Sequence, residues 1–530
     1  MYNEELWNAW VKEEMQNYEV TKTGKRKYKK KGYLHLDHRY WFPEHVKEIK
    51  QIIKIKLIVK HPHTKKDQYF SFSPFLKLLT KTPRYRYQFE EGHYELETKI
   101  RPICLTSHKD SLIIGYYSYY ITKVYEDYIK NQKFDNVVLA YRSDLGHCNI
   151  QFAKKVFDIV KNKKNCSAIA LDIKGYFDHI DHSILLQKWK QLMGGRLDED
   201  QFRLYKVLTE YSYINSNSIL KKYNGPKERN KKLPVALMDI IPGNNINEKF
   251  KKLKEDSLIV TNDQANGKNR KCGIPQGSPI SALLSNIFLI DFDADLNMKG
   301  ESEGFVYRRY CDDILIICET DKATDLMDWI IKKISNEYFL TIQLDKVDLI
   351  DFHKNTNGQI RGFRRPRRSK QIPGSKPKVI IKDKPAITNA RNEQKLYKPL
   401  QYLGFEYNGK EVLIRSSSVS RFFRKLKYRL QRTVVMSYSP NTKSDQIFMR
   451  QIYERYTHIG TRNFLTYSYK AAKNLYDEGG TIKQGLNSPG IKKQLRKHFT
   501  LLRQELSKKN IKWLSHKKNG KKEVTPKYFK

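Results

Sequence analysis

The sequence lacks the features that would assign it to a membrane or to an extracellular disulfide framework. No apolar run in the 530 residues approaches the roughly 18–20 residues that cross a bilayer. Only six cysteines occur, and none forms a Cys-x-x-Cys pair or a spacing typical of small secreted domains. The opening segment, MYNEELWNAW, carries early acids and no apolar stretch of a secretory signal. We therefore expect a cytoplasmic protein without a membrane partner.

Acidic residues are few relative to basic ones. The chain has 57 Asp and Glu against 101 Lys and Arg, and its formal net charge is +44. A positive field of this size suits a polyanionic partner. Charge alone does not separate nucleic acid from an anionic membrane surface, but 24 Phe, 6 Trp and 35 Tyr residues offer faces on which bases can stack. We therefore expect a nucleic-acid partner.

Length and patterning predict a mixed α/β protein. At about 100–200 residues per domain the chain corresponds to three or four domains or subdomains. Periodicity predicts strands at 100–104 and 167–171, a hairpin at 305–318, and helices at 111–129, 149–160, 280–296 and 416–435. Residues 220–270 show little periodicity and are typical of an inserted or partly mobile segment. A last helix is predicted after Ser488, with its apolar side formed by Ile491, Leu495, Phe499, Leu502 and Leu506.

Three segments carry the candidate chemistry. Asp172 ends the apolar strand at 167–171, GIPQGSP occupies 273–279, and Asp312 and Asp313 lie at the turn of the predicted hairpin. If the two strands are neighbours, these three carboxylates converge, and hard oxygen ligands at such a point suit Mg²⁺. Two ions about 3.5–4 Å apart can activate a 3′-hydroxyl and stabilise a leaving pyrophosphate. Carboxylates without His or Cys argue against zinc.

Taken together, the ordered motifs resemble reverse transcriptases of the bacterial group II intron and retron-like lineage over about 95–435. The matching blocks are KIRPICLTSHKD (99–110), AYRSDLGHCNIQFA (140–153), the block around Asp172, GIPQGSPIS (273–281), YCDD (310–313), LTIQLDKVDL (340–349) and YLGF (402–405). The resemblance implies RNA-directed DNA polymerase activity. It also implies an α/β (α+β) right-hand polymerase fold, with fingers, an antiparallel-sheet palm, a helical thumb, and helical N- and C-terminal extensions.

The same resemblance divides the chain into regions. They are an N-terminal extension (1–95), fingers (96–165), palm with part of the fingers and an insertion at about 220–270 (166–350), palm end and primer grip (351–410), thumb (411–440) and a basic helical C-terminal extension (441–530).

For the metal site, the resemblance implies roles residue by residue. Asp172 and Asp312 would bind two Mg²⁺ ions, with Asp313 beside them and the Ile173 carbonyl as a further ligand. Lys346 is a candidate for protonating the pyrophosphate or stabilising its charge. The bland alternative for Lys346 is an exposed lysine on a loop.

Further residues would bind the nucleotide. Arg101 would meet the triphosphate, since a guanidinium fork matches phosphate oxygens. Gln276 and Gly277 would contact the nucleotide and the template-side pair, and Tyr310 would also bind substrate. Phe177 lies where the family places its sugar gate, and a ring there would favour deoxynucleotides. The alternative for Phe177 is a core position beneath the strand.

Basic surfaces are expected to bind phosphates. Arg421, Arg424, Lys425 and Lys427 populate the polar side of the predicted thumb helix, and a cluster at 361–370 lies in a predicted loop. The basic segments near 22–31 and 507–522 suggest a structured RNA bound beyond the primer–template cleft. Binding should therefore weaken steeply with salt.

Departures from the family pattern point to a subgroup. The chain has no Val-Thr-Gly motif of the retron type and no Cys/His cluster of the intron endonuclease type. What remains resembles the defence-associated, abortive-infection-like reverse transcriptases, which implies antiphage defence with an associated noncoding RNA. A retron-type enzyme and an intron-type maturase or RNA-binding scaffold stay open as alternatives. An RNA-dependent RNA polymerase shares the Asp-Asp turn, but Phe177 argues against it.

The expected partners are an RNA template or noncoding RNA, the DNA product and deoxynucleoside triphosphates. A homo-oligomer or a partner protein is compatible with the sequence. Priming on RNA, on DNA or on a protein hydroxyl, such as that of Tyr528, is equally compatible.

Overall fold

The structure is a computed structural model. It describes residues 2–20, 26–29, 32–55, 57–60, 67–88, 93–142, 144–224, 235–365, 367–370, 378–381, 396–439, 447–473, 475–476, 482–483 and 485–516. The basic segments at 22–31 and 507–522 lie partly outside the described residues, and Tyr528 lies wholly outside them.

Helices occur from the N-terminal region to the end of the described chain. They are α1 (Glu4–Met15), α2 (Phe42–Lys54), α3 (His108–Asn131), α4 (Asn149–Lys163), α5 (His182–Leu192), α6 (Glu199–Thr209), α7 (Ser216–Asn224), α8 (Ile246–Glu255), α9 (Ser281–Phe288), α10 (Ile290–Glu303), α11 (Ala323–Glu337), α12 (Ser416–Ser437), α13 (Arg450–Tyr456), α14 (Phe464–Ala472), α15 (Pro489–Leu495) and α16 (His498–His516). Short 3-10 turns span Tyr176–His179, Leu237–Ile240 and Leu344–Lys346. None of these helices combines the length and apolar character that a bilayer span requires, within the described part of the chain.

The strands form several separate sheets. They are β1 (Tyr18–Val20), β2 (Arg26–Tyr28), β3 (Ile58–Lys60), β4 (Asp67–Tyr69), β5 (Phe75–Gln88), β6 (His93–Leu105), β7 (Cys166–Asp172), β8 (Ser212–Asn215), β9 (Ile259–Thr261), β10 (Val306–Tyr310), β11 (Asp313–Cys318), β12 (Asp348–Lys354), β13 (Ile360–Arg364), β14 (Arg367–Lys370), β15 (Lys378–Ile381), β16 (Leu400–Tyr402), β17 (Phe405–Tyr407), β18 (Val412–Ile414), β19 (Leu475–Tyr476) and β20 (Ile482–Lys483).

A five-stranded antiparallel sheet forms the palm. Its strand order is β10-β11-β7-β12-β13, with the apolar strand β7 in the middle. The side chains of β11 alternate between two cores. Ile314 and Ile316 belong to the core that includes α3, α9 and α10, whereas Leu315 and Ile317 belong to the core that includes α4 and β17. Both faces of the sheet are therefore covered, as a continuous apolar run such as ILII predicts.

The fingers contain a long hairpin. The predicted short strand at 100–104 is the end of the 13-residue strand β6, which pairs with β5 along its whole length. The boundary predicted after residue 95 thus falls inside β6. Strand β8 continues this sheet in parallel to β5, and β9 pairs with β8.

The segment at 220–270 is more regular than its sequence predicts. It contains part of α7, all of α8 and the strand β9, while residues 225–234 are outside the described residues. Ile219 and Leu253 pack in a small core with Leu36 and Leu76. Helix α8 is mostly lysine and glutamate on its exposed side, so its apolar stripe is too sparse to stand out in the sequence.

The helix predicted at 416–435 is confirmed as α12. Phe422, Leu426, Leu430 and Val434 are its buried apolar residues. By contrast, the prediction of a single last helix is wrong, because the helix is interrupted at residues 496–497, between α15 and α16. The predicted helix at 280–296 is likewise two helices, α9 and α10, which meet at Leu289.

The basic cluster at 361–370 is not a loop. Residues 360–364 form the edge strand β13, and Arg367–Lys370 form β14. Arg364 pairs with Asp348 at 2.7 Å, and the buried Arg365 pairs with Asp351 at 2.8 Å. Gly362 lies where a side chain would meet the Lys398 carbonyl, which explains a glycine within a strand. Arg365 is therefore a structural residue and is not available to bind phosphate.

Candidate active site

Three carboxylates meet at one end of the central palm strands. Asp172, the last residue of β7, lies directly opposite Asp313, the first residue of β11. Asp312 lies in the two-residue turn that joins β10 to β11, next to Cys311, whose φ is +58°. Two-residue hairpin turns require such left-handed residues. The convergence that the sequence predicts is therefore present.

The backbone around Asp172 connects this turn to the next segment. The Ile173 amide donates to the Asp312 carbonyl at 3.2 Å. On the other side, the Lys174 amide donates to Thr341 and the Gln343 amide donates to the Asp172 carbonyl, each at 2.8 Å. These bonds use the carbonyl of Asp172 and leave the Ile173 carbonyl outside the pairing.

Lys346 completes the cluster. It ends a 3-10 turn, and its ammonium Nζ donates to Oδ1 of Asp172 at 2.8 Å. The two side chains are 35% and 25% exposed, so this is a half-buried ion pair. Lys346 is therefore partly exposed and paired with Asp172, which differs from the alternative of an exposed lysine on a loop.

Negative charge is in excess at this site. Burial, followed by the charge of Asp172, raises the pKa of Asp312. The Asp313 side chain reaches solvent but has protein on its other sides. This partial desolvation, followed by the charges of Asp312 and Asp172, raises the pKa of Asp313 to about 7. Lys346 and Arg415 oppose the rise at Asp313 but do not cancel it.

The donor set fits a divalent cation. Among the described residues, no three or more His, Cys, Asp or Glu side chains are grouped as a ready-made metal cage. A hard cation such as Mg²⁺ does not need one, because it keeps waters and is held by one or two carboxylates together with substrate phosphates. A bound cation would relieve the repulsion that raises the pKa of Asp312 and Asp313.

The glycine-containing loop at 273–279 packs against the fingers hairpin. The Cys104 amide of β6 donates to the Gln276 carbonyl at 2.8 Å. Gly277 has φ +126°, and a Cβ there would lie 2.9 Å from both the Cys104 carbonyl and the Ile103 side chain. Only glycine allows this close approach. The exposed Arg101 lies two residues before Ile103, so both are on the same face of β6, beside this loop.

Phe177 is linked to the same loop. It lies in the 3-10 turn after β7, and its carbonyl accepts from the Ile274 amide at 2.9 Å. The side chain is half-buried, with its ring centroid 5.9 Å from that of the fully packed Tyr176. Tyr176 is buried in the core, and Phe177 packs against the same core as a partly buried residue.

Tyr310 borders a cavity on the other side of the hairpin. The cavity has a volume of about 660 Å³, and Tyr141, Phe152 and Leu403 also line it. Leu403 belongs to the predicted primer grip, and its carbonyl accepts from the Asn149 side chain at 3.1 Å. The hairpin and the primer-grip segment are therefore neighbours.

The thumb residues differ in their contacts. Arg421 and Lys425 are exposed on α12. Arg424 lies over the ring of Tyr85 in the fingers hairpin, 5.4 Å from its centroid, and Lys427 pairs with Glu505 of α16 at 2.8 Å.

Sequence reasoning missed several residues around the site. Arg415, just before α12, is close enough to Asp313 to lower its pKa. Tyr141 has φ +61° and hydrogen-bonds to the Cys311 side chain. Arg309 and Asp293 form a fully buried ion pair behind the turn. The signal for Arg309 was a charged residue at an inward position of a strand, three residues before Asp312.

A five-stranded antiparallel palm, with one carboxylate at the end of its central strand β7 and two at the adjacent β10–β11 hairpin, defines a right-hand polymerase. Residues 239–407 match the family described as "Reverse transcriptase (RNA-dependent DNA polymerase)". This range contains a reverse transcriptase domain, and the predicted enzyme class, RNA-directed DNA polymerase, is confirmed for it. It includes Gln276, Asp312, Asp313 and Lys346, whereas Asp172 lies outside it. Reverse transcriptase domains use divalent metal ions, in keeping with the donor set.

Solved telomerase structures show a weaker similarity. Telomerase from Candida albicans in complex with the TWJ fragment of telomeric RNA is 12% identical, with a TM-score of 0.35, over 96% of this chain and 65% of that one. Apo telomerase from Candida tropicalis, truncated from its C-terminal domain, is 10% identical, with a TM-score of 0.36, over 71% and 61%. The chain thus spans less than two thirds of the length of these structures. No curated protein matches the sequence.

Proposed function

We propose that this protein is a Mg²⁺-dependent polymerase that copies RNA into DNA. The observation that carries the proposal is the pairing of Asp172 with Asp313, next to Asp312, on neighbouring palm strands. The reverse transcriptase domain at 239–407 supports the reaction type. Because Asp172 lies outside that range, the proposed site joins two parts of the chain.

Asp172, Asp312 and the Ile173 carbonyl would hold two Mg²⁺ ions. When bound, the ions activate the primer 3′-hydroxyl and neutralise charge on the leaving pyrophosphate. Asp313 lies beside these ligands, and a bound cation would favour its ionised form, which its raised pKa of about 7 otherwise disfavours. The backbone bond from Ile173 to Asp312 keeps β7 and the hairpin turn in register.

The nucleotide would bind between the fingers hairpin and the palm. Arg101 would bind the triphosphate, and the backbone at Gln276 and Gly277 would border the base pair. Lys346 would give a proton, or a charged hydrogen bond, to the leaving pyrophosphate. Its ammonium already lies beside Asp172, so only a change of its rotamer is needed to reach a phosphate.

Primer and template would lie against the hairpin and the thumb. Tyr310 would contact the primer end, because it borders the cavity that Leu403 also lines. Arg421 and Lys425 would bind backbone phosphates, and Arg424 would do so after leaving Tyr85. Lys427 would contribute less because Glu505 already neutralises it.

Phe177 would exclude ribonucleotides by contact with the 2′-hydroxyl. Its ring is half-buried, and its backbone bond to Ile274 connects the segment after Asp172 to the glycine-containing loop at 273–279. Phe177→Ala should therefore increase the use of ribonucleotides relative to deoxynucleotides, measured as the ratio of their incorporation efficiencies. Phe202→Ala removes an exposed ring elsewhere and serves as the control. An unchanged ratio in Phe177→Ala would remove the gate from the proposal.

The broader role we propose is bacterial antiphage defence in the cytoplasm with an associated noncoding RNA. The support is the resemblance of the ordered motifs to defence-associated reverse transcriptases, together with the net charge of +44. Sequencing the nucleic acid that copurifies with active protein tests it. A single structured RNA with complementary DNA would support this role, and a random set of cellular RNAs would contradict it.

The enzymatic proposal is tested with purified protein, a primed RNA template, deoxynucleotides and Mg²⁺. The wild-type protein should extend the primer, and Asp312→Ala with Asp313→Ala should abolish extension. DNA synthesis that persists in the double variant would refute the proposed site.

A further inference from the structure

Arg309 is the only one of the four residues before the turn that combines a charge with complete burial. It is the penultimate residue of β10, and neither it nor its partner Asp293 of α10 has any exposed side chain. Its Nε donates to Oδ1 of Asp293 at 2.7 Å, and its Nη2 donates to Oδ2. Burying such a pair adds little net stability compared with apolar residues of similar volume. Stability alone is thus a poor reason for this arrangement.

The remaining donor of the guanidinium reaches the turn. Nη1 of Arg309 donates to the Cys311 carbonyl at 3.1 Å and to Oδ1 of Asn286 at 3.2 Å. The Cys311 carbonyl belongs to the peptide unit that leads into Asp312. Cys311 has φ +58°, a conformation that costs a non-glycine residue about 1–2 kcal/mol and persists only where the surroundings fix it.

Arg309 also fixes the segment beside the hairpin. Its amide donates to the Val137 carbonyl at 2.8 Å, and its carbonyl accepts from the Leu139 amide at 2.9 Å. Asn286 extends the network, because its side-chain amide donates to the Ala140 carbonyl at 3.0 Å. The Arg309 side chain therefore joins α9 and α10 to the carboxylate turn, while its backbone and the Asn286 side chain add the 137–140 segment.

We propose that Arg309 is a positioning residue that sets the location of Asp312 through the Cys311 carbonyl. The turn is held from two sides, by Arg309 at the Cys311 carbonyl and by the Ile173 amide at the Asp312 carbonyl. Loss of the Arg309 bond frees the Cys311–Asp312 peptide to rotate, and Asp312 then leaves its position in the turn beside the Asp172–Asp313 pair. The inference rests on the proposed function, since it concerns the ligands of the proposed metal site.

The chain offers a matched control for this residue. Arg365 is a second buried arginine, and it directly follows β13 of the same sheet. It pairs with Asp351 at 2.8 Å and donates to the Thr320 carbonyl at 2.7 Å. It therefore has the same charge and similar burial, but its hydrogen bonds lie at the other end of the strands. Arg365→Lys reports the general cost of shortening a buried arginine.

The experiment compares Arg309→Lys with Arg365→Lys. Mn²⁺ binding to the full chain is measured by electron paramagnetic resonance without nucleotide, and folding is measured by thermal denaturation. Outer-shell partners typically change metal affinity by about 10–100-fold, so Arg309→Lys should raise the Mn²⁺ dissociation constant by about ten-fold or more. Arg365→Lys should leave it within about two-fold of wild type. Raised Mn²⁺ should restore DNA synthesis by Arg309→Lys, while its KM for deoxynucleotide stays unchanged.

Two outcomes overturn the proposal. One is a folded Arg309→Lys protein that binds Mn²⁺ like the wild type, and the other is an equal loss of Mn²⁺ binding in Arg365→Lys. If Arg309→Lys does not fold, Asn286→Ala is used, since it keeps the Arg309–Asp293 pair and removes the support of Nη1 together with the bond to the Ala140 carbonyl. An unchanged dissociation constant in Asn286→Ala then overturns the proposal. Failure of the wild type to bind Mn²⁺ or to make DNA would instead refute the proposed function itself.

Discussion

Lys346 donates a hydrogen bond from Nζ to Oδ1 of Asp172, with 2.8 Å between the two atoms. The bond joins a 3-10 turn before β12 to the end of the central strand β7. It neutralises part of the charge of the carboxylate cluster and, under the proposed function, holds an ammonium beside the leaving pyrophosphate. Both consequences can be tested separately.

Replacing Lys346 by methionine should slow catalysis more than it weakens binding. Proton transfer by a positioned group contributes about 10²–10⁴-fold, so we expect a loss of this size in the single-turnover rate of deoxynucleotide incorporation. Lys346→Arg keeps the positive charge but supplies a poorer acid. Its single-turnover rate should therefore lie between those of the wild type and Lys346→Met. Lys333→Met is the control, because Lys333 of α11 is a lysine that also pairs with an aspartate, Asp295 of α10. A wild-type rate in Lys346→Met would contradict the proposed role of Lys346 as a proton donor.

Lys425 and Lys427 should differ in their effect on nucleic-acid affinity. Each lysine that contacts a phosphate adds about one unit to the slope of log affinity against log salt concentration. Lys425→Ala should reduce that slope by about one, whereas Lys427→Ala should reduce it less because Glu505 already pairs with Lys427. Fluorescence anisotropy of a primer–template duplex over a salt series measures both. Equal slopes for the two variants would contradict the distinction.

Gly277→Ala should disturb nucleotide binding. The added methyl group would lie 2.9 Å from the Cys104 carbonyl and from the Ile103 side chain, at a backbone φ of +126°. The loop and the hairpin must then separate, at a cost of about 1–3 kcal/mol. We expect the KM for deoxynucleotides to rise by about ten-fold. Gly267→Ala, where nothing lies within 4 Å, should behave as wild type in the same steady-state assay.

Asp110 should make the protein less stable as pH rises. It is buried at the start of α3, where burial raises its pKa to about 6. The nearby charge of Asp37 raises the pKa further, and Ser107, the Ser73 amide and His35 oppose the rise. Between the unfolded pKa, near 3.8, and 6, the native state binds more protons than the unfolded state, so the free energy of unfolding falls with increasing pH. The shift corresponds to on the order of 3 kcal/mol.

The measurement is urea denaturation of wild type and Asp110→Asn at several pH values from 4 to 7. As pH rises, the free energy of unfolding of the variant should increase relative to that of the wild type, because asparagine stays neutral. A difference that does not change with pH would contradict the assignment to Asp110.

Local patterns were sufficient to predict the palm hairpin and its neighbour. The run FVYRRYCDDILIIC has strand composition on both sides of Asp312 and Asp313, and the run SAIALD ends on Asp172, so both their conformation and their chemistry are visible in the sequence. Their pairing, with Asp172 opposite Asp313, follows from hydrophobic burial on both faces of the sheet.

Tertiary contacts explain the expectations that were wrong. The Gly and Pro near 361–370 suggested a loop, but Gly362 lies in a strand because the chain at Lys398 passes too close for a side chain. The apolar spacing after Ser488 continues through the break between α15 and α16, so periodicity did not reveal it. In the sequence, Arg309 looks like one more basic residue. Its buried partner Asp293 lies on another element, α10, so the pair follows only from the fold.

The most direct test of the proposed site is the effect of Asp172→Asn on single-turnover deoxynucleotide incorporation. Asp172 lies outside the reverse transcriptase match at 239–407, and its role depends on the register of β7 with β11. Asp348→Asn, in the neighbouring strand and paired with Arg364, is the control. Asp172→Asn should lose about 10³-fold or more in rate, as a lost metal ligand predicts, while Asp348→Asn stays within about ten-fold of wild type. Near-wild-type synthesis by a folded Asp172→Asn protein would contradict the account.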